Sequence, residues 1–194
     1  MSDSFEIRVQ VGPEFKLEKL GRHRYLVVVD GYLNSGWQSR LAGGLATAGL
    51  NIVEGFSASD GFGKWRGEFE FDRLVRSEDP ERLDFMELVK SPALPGDGNI
   101  DIDAAQLTES IQYGGSLLLS VSGHDSIGFL SRLLSACEQF GLYPVELRFR
   151  TRAGKIDDLL YLKDAKWAPP APHAETSLRQ WLAARLRESK DGAR

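Results

Sequence analysis

A short segment ahead of a predicted helix carries the side chains best suited to bind a small charged molecule. Asp125 and Ser126 lie there, just before Gly128. A glycine lets the backbone approach a ligand closely, and the free N–H groups at a helix N-terminus favour a carboxylate. The Asp125 carboxylate can accept from an ammonium group, and the Ser126 hydroxyl can donate to a carboxylate. We therefore predict a site for a molecule that carries both groups.

A second segment repeats this arrangement nearer the N-terminus. Asp30 is its acceptor, Asn34 and Ser35 are its donors, and Gly36 stands at the junction with the helix. A plainer interpretation stays open for both segments. Asp125 or Asn34 could do no more than cap its helix, with the glycines serving only the turn.

Catalytic chemistry has little raw material in this chain, which contains three histidines and one cysteine. An enzyme needs a nucleophile paired with a base, or clustered metal ligands. His124 and Asp125 could meet Asp157 and Asp158 only if a strand lay beside the loop, and the spacing typical of zinc sites does not occur. We predict a protein that is not an enzyme and uses no metal or cofactor.

The charge balance argues against nucleic acid as a partner. The chain has 24 Lys and Arg against 28 Asp and Glu, a net charge of −4 with both signs interspersed, so phosphate backbones are not attracted overall. The stretch from Asp60 to Trp65 matches an RNA-binding strand only superficially, because Glu68 and Glu70 follow on its alternate face. The single cysteine, Cys137, has the pattern of a buried residue, and no apolar run is long enough to span a membrane. Both observations predict a cytoplasmic protein.

An internal repeat sets the expected architecture. At an offset of 92 residues, the segment 36–41 falls on the segment 128–133, and the match continues in one register for more than forty residues. Each copy reads as strand, helix, hairpin and helix, with apolar residues at helical spacing and then in alternation. The sequence therefore predicts an α+β protein of two tandem ferredoxin-like βαββαβ modules, whose antiparallel sheets carry their helices on one face.

The segment from Leu119 to Leu130, with Asp125 and Gly128 in an Asp-x-x-Gly turn followed by two apolar residues, resembles the opening of an ACT domain. Gly141-Leu142 and the strands ending at Arg152 and Asp164 are similar to the rest of that module in bacterial uridylyltransferases. The tandem form resembles glycine-cleavage repressor proteins. The first copy keeps Gly36 but has Leu33 at the position of Asp125.

The resemblance implies a non-catalytic regulator that binds an amino acid or similar metabolite where the first loop of one module meets a strand of its neighbour, and that acts on a partner protein. A protein-interaction module with no small ligand is the alternative. The residues that the resemblance and the loop chemistry place at the ligand are Asp30, Gly31, Asn34, Ser35, Gly36, Gly123, His124, Asp125, Ser126, Ile127 and Gly128.

The repeat divides the chain into a segment 1–20, a first module 21–113 and a second module 114–194. The second module lacks a strand after its last helix, and an open sheet edge needs cover. We predict that a strand within Phe5 to Lys19 completes the second sheet, in the same chain or exchanged in a homodimer. Two other patterns predict packing: Gly43-Gly44 in the first helix favours a close contact, and an amphipathic helix near 175–188 favours the core over a membrane or partner.

Overall fold

The computed structural model of the chain describes residues 12–96 and 99–186. Within these ranges, short 3-10 turns occur at Pro80–Arg82 and Gln112–Gly114. The strands are β1 (Glu14–Lys19), β2 (Arg24–Tyr32), β3 (Leu50–Ser59), β4 (Lys64–Arg73), β5 (Ile102–Ser110), β6 (Ser116–His124), β7 (Tyr143–Arg152) and β8 (Lys155–Lys163), and the helices are α1 (Trp37–Thr47), α2 (Phe85–Leu88), α3 (Phe129–Gln139) and α4 (Pro172–Ala183).

The eight strands of the described residues form one antiparallel sheet in the order β1-β2-β4-β3-β7-β8-β6-β5. The α+β class was predicted correctly, but the predicted fold of two βαββαβ modules with separate sheets is wrong. Each half contributes strand, strand, helix, strand, strand, and the two halves join because β3 pairs with β7 from Glu54↔Arg150 to Ala58↔Glu146. Pairing these two strands removes an open edge from each half.

The strand predicted to complete the second half instead completes the first. β1 pairs with β2 through its whole length, from Glu14↔Asp30 to Lys19↔Tyr25. The same edge position in the second half belongs to β5, which pairs with β6. In both halves a connection of a few residues favours an antiparallel hairpin with the next strand over a distant partner. The part of this prediction that falls on residues 5–11 lies outside the described residues. The module boundaries and the homodimer stay predictions. Strand exchange no longer supports the homodimer.

Helices α1 and α3 pack on one face of the sheet, and their predicted apolar spacing is confirmed. Trp37, Leu41 and Leu45 of α1, with Phe129 and Leu133 of α3, are all almost completely buried. The predicted close contact at the glycine pair is confirmed as well: a Cβ on Gly43 would lie 2.9 Å from the Ser131 hydroxyl, and one on Gly44 would lie 2.7 Å from a methyl of Leu88.

The two halves are related by an approximate two-fold axis between α1 and α3. Ser39 and Ser131, which are equivalent in the repeat, meet where the Ser131 hydroxyl donates to the Ser39 carbonyl at 2.9 Å. On the sheet, the equivalent residues Phe56 and Arg148 pair directly. The helices therefore run antiparallel, and the N-terminal end of each lies near the C-terminal end of the other.

The last helix belongs to the core, as the sequence favoured. α4 buries Ala174, Leu178 and Leu182, and Arg179 donates to the backbone carbonyl of Leu107 on β5 at 2.6 Å. Among the described residues, no helix is long and apolar enough to cross a membrane.

Candidate ligand-binding cleft

A narrow cleft lies where the two halves meet, between α3, the ends of β7 and β8, and the junction of α1 with β3. Its enclosed free volume is about 20 Å³, with about 370 Å³ of empty space when the open mouth is included. The enclosed part has room for a single water. A larger ligand therefore enters only if the walls separate. The lining residues are Ala42, Ala46, Leu50, Asn51, Ile52, Asp125, Ser126, Gly128, Phe129, Leu130, Ser131, Phe149, Arg150, Thr151, Ile156 and Asp158.

The segment ahead of α3 is held to the first half by a polar contact. The Asn51 amide nitrogen donates to a carboxylate oxygen of Asp125 at 2.8 Å, and the Asp125 backbone N–H donates to the Gly154 carbonyl at 2.9 Å. The N-cap residue of α3 is Gly128, with φ of 82°, a left-handed conformation that favours glycine. Asp125 is thus occupied in joining the halves, and the interpretation of Asp125 as only a helix cap is wrong.

Asp158 of β8 brings a second carboxyl to the cleft, from beneath α3. It is 3 % exposed and pairs with Val121 of β6 and Phe149 of β7 on the helix-covered face. Burial raises the pKa of this carboxyl to about 8, the backbone N–H of Arg150 partly offsets the rise, and the negative charges of Asp157 and Asp125 add to it. Buried carboxyl groups normally have a cationic partner. The charged groups that act on this carboxyl, Asp157 and Asp125, are both negative.

The corresponding region of the first half is filled. The pairing register makes Gly67 the equivalent of Asp158, since Val29↔Gly67 matches Val121↔Asp158. Likewise Trp65 stands where the second half has Ile156. Trp37, the equivalent of Phe129, meets Trp65 edge to face at a centroid distance of 5.6 Å, and Trp167 packs on Trp65 at 5.7 Å.

The N-terminus of α1 differs from that of α3 in a further way. Glu138, from the last turn of α3, accepts a short hydrogen bond from the Ser39 hydroxyl, and its carboxylate lies 2.9 Å from where a Cβ on Gly36 would be. Burial raises the pKa of the Glu138 carboxyl, opposed by that hydrogen bond and by Arg40. The residue equivalent to Glu138 in the first half is Ala46, so the N-terminus of α3 has a methyl group where α1 has a carboxylate.

The structure brings three of the predicted site residues together in the cleft: Asp125, Ser126 and Gly128. The first-half set lies elsewhere. Asp30 is on β2, 3.2 Å from the Lys64 ammonium, while the carbonyls of Asn34 and Ser35 accept from the Trp37 N–H and the Arg40 guanidinium. Gly36 caps α1 with φ of 82° beside Glu138.

The remaining predicted residues do not line the cleft. A Cβ on Gly31 would lie 2.6 Å from Pro13 Cα, and one on Gly123 would collide with the Asp101 carbonyl oxygen. His124 lies 3.4 Å from Asp103 and 2.9 Å from the Lys155 ammonium. Ile127 is 41 % exposed and does not line the cleft.

The cleft residues that the sequence did not reveal come from strands that only the tertiary fold brings to the loop. Asn51 and Thr151 belong to β3 and β7 of opposite halves. Asp158 did give a signal, because it falls in the apolar register of Ile156, Leu160 and Leu162. Asp158 is buried, whereas Asp157 is exposed on the opposite face of the sheet.

Comparison with known proteins adds no assignment. The chain matches no family model, no curated protein and no solved structure. Within residues 12–96 and 99–186, no group of three or more His, Cys, Asp or Glu side chains is arranged to hold a metal ion.

Proposed function

We propose that this protein is a non-catalytic cytoplasmic regulator, which binds an amino acid in the cleft between its halves and acts on a partner protein. The observation that supports the proposal is the joint position of Asp125, the N-terminus of α3 and Asn51 of the opposite half at one cleft. An ammonium group would bind to Asp125, and a carboxylate would bind to the N–H groups at the start of α3 with the Ser126 hydroxyl.

The position of the cleft also agrees with the resemblance to ACT modules, in which the first loop of one unit faces a strand of its neighbour. Here the loop at Asp125 faces the start of β3. We use the term seam for the region where the two halves meet, at Asn51 and Asp125. Ligand binding at this seam would change the contact between the halves, since Asn51 would have to share Asp125 with the ligand. A change where the halves meet would signal to a partner, because both halves contribute to this region.

Thermal unfolding against each of the twenty amino acids tests this proposal. A ligand at one hundred times its Kd stabilises the folded state by about 2.7 kcal/mol. We expect one or a few amino acids to raise the melting temperature. This rise should be lost in Asp125→Asn and retained in Asp30→Asn, which removes the acidic residue of the first-half segment. Wild-type protein that responds to none of the twenty would overturn the proposal.

A protein-interaction module without a small ligand is the second candidate. Phe62, in the β3–β4 hairpin turn, is 88 % exposed, and Tyr32, at the end of β2, is 62 % exposed. Tyr32 pairs with Lys64 at the same end of the sheet. Large aromatic side chains exposed at one end of a sheet are typical of protein contacts. A thermal screen without any response would favour this candidate.

A further inference from the structure

The carboxyl group of Asp158 is not required by the fold. Its equivalent in the first half is Gly67, at the same place in the same pattern of strand pairs. Burying a carboxyl costs stability unless a partner compensates it. Since the same architecture forms with glycine at this position, the presence of an acid in the second half needs another explanation.

The surroundings of Asp158 indicate what would compensate it. Within the described part of the chain, no other side chain donates a hydrogen bond to it, and the charged groups that act on it, Asp125 and Asp157, are negative. It lines the cleft together with the apolar side chains of Phe129, Phe149 and Ile156. Once the walls separate, a ligand could therefore pack an apolar stem on them and place a cationic group at the carboxyl.

We propose that Asp158 determines specificity in the cleft by binding the side-chain ammonium group of a basic amino acid, of the lysine or ornithine class. This inference rests on the proposed function. Asp125 and the N-terminus of α3 would bind the α-ammonium and α-carboxylate groups, which all amino acids share. Asp158 would bind the group that distinguishes one amino acid from another.

Calorimetric titration with lysine and norleucine tests the inference, because the two differ by the terminal ammonium group. A charge-assisted hydrogen bond in a buried site predicts a preference for lysine of about tenfold or more. The preference should fall to within about threefold in Asp158→Asn. It should persist in Asp157→Asn, which removes a neighbouring exposed carboxyl from the opposite face of the sheet. If Asp158→Asn does not fold, Asp158→Gly introduces the residue that the first half uses.

The outcomes separate this inference from the proposal on which it rests. Equal affinity of the wild type for lysine and norleucine, or binding of neutral amino acids but not lysine, would overturn the role of Asp158 and leave the proposed function standing. A preference for lysine that survives in Asp158→Asn would also overturn it. If the wild type binds no amino acid, both proposals fail.

Discussion

Asp158 and Gly67 occupy the same position in the two halves of the sheet, opposite Val121 and Val29 respectively. One half carries a buried carboxyl beside a cleft, and the other carries a glycine beneath a cluster of tryptophans. The two halves share a backbone plan, but the positions of Phe129 and Ile156, which border the cleft in the second half, hold tryptophans in the first. The duplication therefore supplies an internal control for experiments on the cleft.

The buried carboxyl makes stability depend on pH. Asp158 has a folded-state pKa of about 8, against an ordinary value of 3.8. Between these values the folded chain holds a proton that the unfolded chain has lost, so this group lowers the free energy of unfolding as pH rises, and its effect is constant above about pH 8. Asp158→Asn removes the titration. Its stability relative to the wild type should rise by about 1 kcal/mol per pH unit through this window.

Urea denaturation of wild type, Asp158→Asn and Asp157→Asn at several pH values from about pH 5 to pH 9 checks this expectation. Asp157 lies on the opposite, exposed face, so Asp157→Asn should keep the Asp158 titration, with its upper end moved to lower pH because one of the negative charges that raise the Asp158 pKa is removed. A constant stability difference between Asp158→Asn and the wild type across the whole range would contradict the assigned titration.

The two N-cap glycines match in backbone conformation but not in surroundings: an added Cβ would meet the Glu138 carboxylate at 2.9 Å at Gly36 and a Leu94 methyl at 2.5 Å at Gly128. Gly36 and Gly128 have the same φ of 82°, so alanine at either position costs about 1 to 2 kcal/mol of backbone strain. Only Gly128 lines the cleft. We expect both Gly36→Ala and Gly128→Ala to lower the melting temperature, whereas Gly128→Ala alone abolishes the response to the ligand. Equal ligand responses in the two variants would restrict both glycines to the turn.

Gly55 lets the two halves pack across the seam. A Cβ there would collide with the Glu68 carbonyl oxygen and lie 2.6 Å from the Phe149 ring, and that ring contacts Phe69 at a centroid distance of 5.2 Å. We expect Gly55→Ala to lose about 3 kcal/mol in chemical denaturation, an overpacking cost. Gly21→Ala, at a position with open space, should change stability by less than about 1 kcal/mol. Similar stability of the two variants would show that the seam accommodates the methyl group.

Local sequence patterns predicted the individual strands and helices well. They did not predict the order of the strands in the sheet, which depends on pairing between distant parts of the chain. The alternation from Trp65 to Asp72 predicted the strand β4, and the helical spacing of Phe129, Leu133 and Cys137 predicted α3. The union of two sheets depends on β3 meeting β7, which are some ninety residues apart, and no local signal marks that pair. The N-terminal edge strand was assigned to the wrong half for the same reason, because no local signal shows that β1 pairs with β2.

The candidate site was predicted only in part, for a related physical reason. Asp125, Ser126 and Gly128 are consecutive in the chain, so their loop chemistry was visible in the sequence. Asn51 reaches Asp125 only through the seam. The first-half segment has similar residue types, but bulky tryptophans at the positions of Phe129 and Ile156 fill the corresponding space. The two halves therefore differ in the size of the side chains that pack near the loop, rather than in the loop itself.

The central claim is that the cleft between the two halves, at the N-terminus of α3, binds an amino acid. The most direct measurement is an amide NMR titration of the labelled protein with an equimolar mixture of the twenty amino acids. We predict that the signals of Asn51, Asp125, Ser126 and Gly128 shift with concentration, while those of Asn34, Ser35 and Gly36 do not. An unchanged spectrum, or shifts centred on the first-half segment, would contradict the claim.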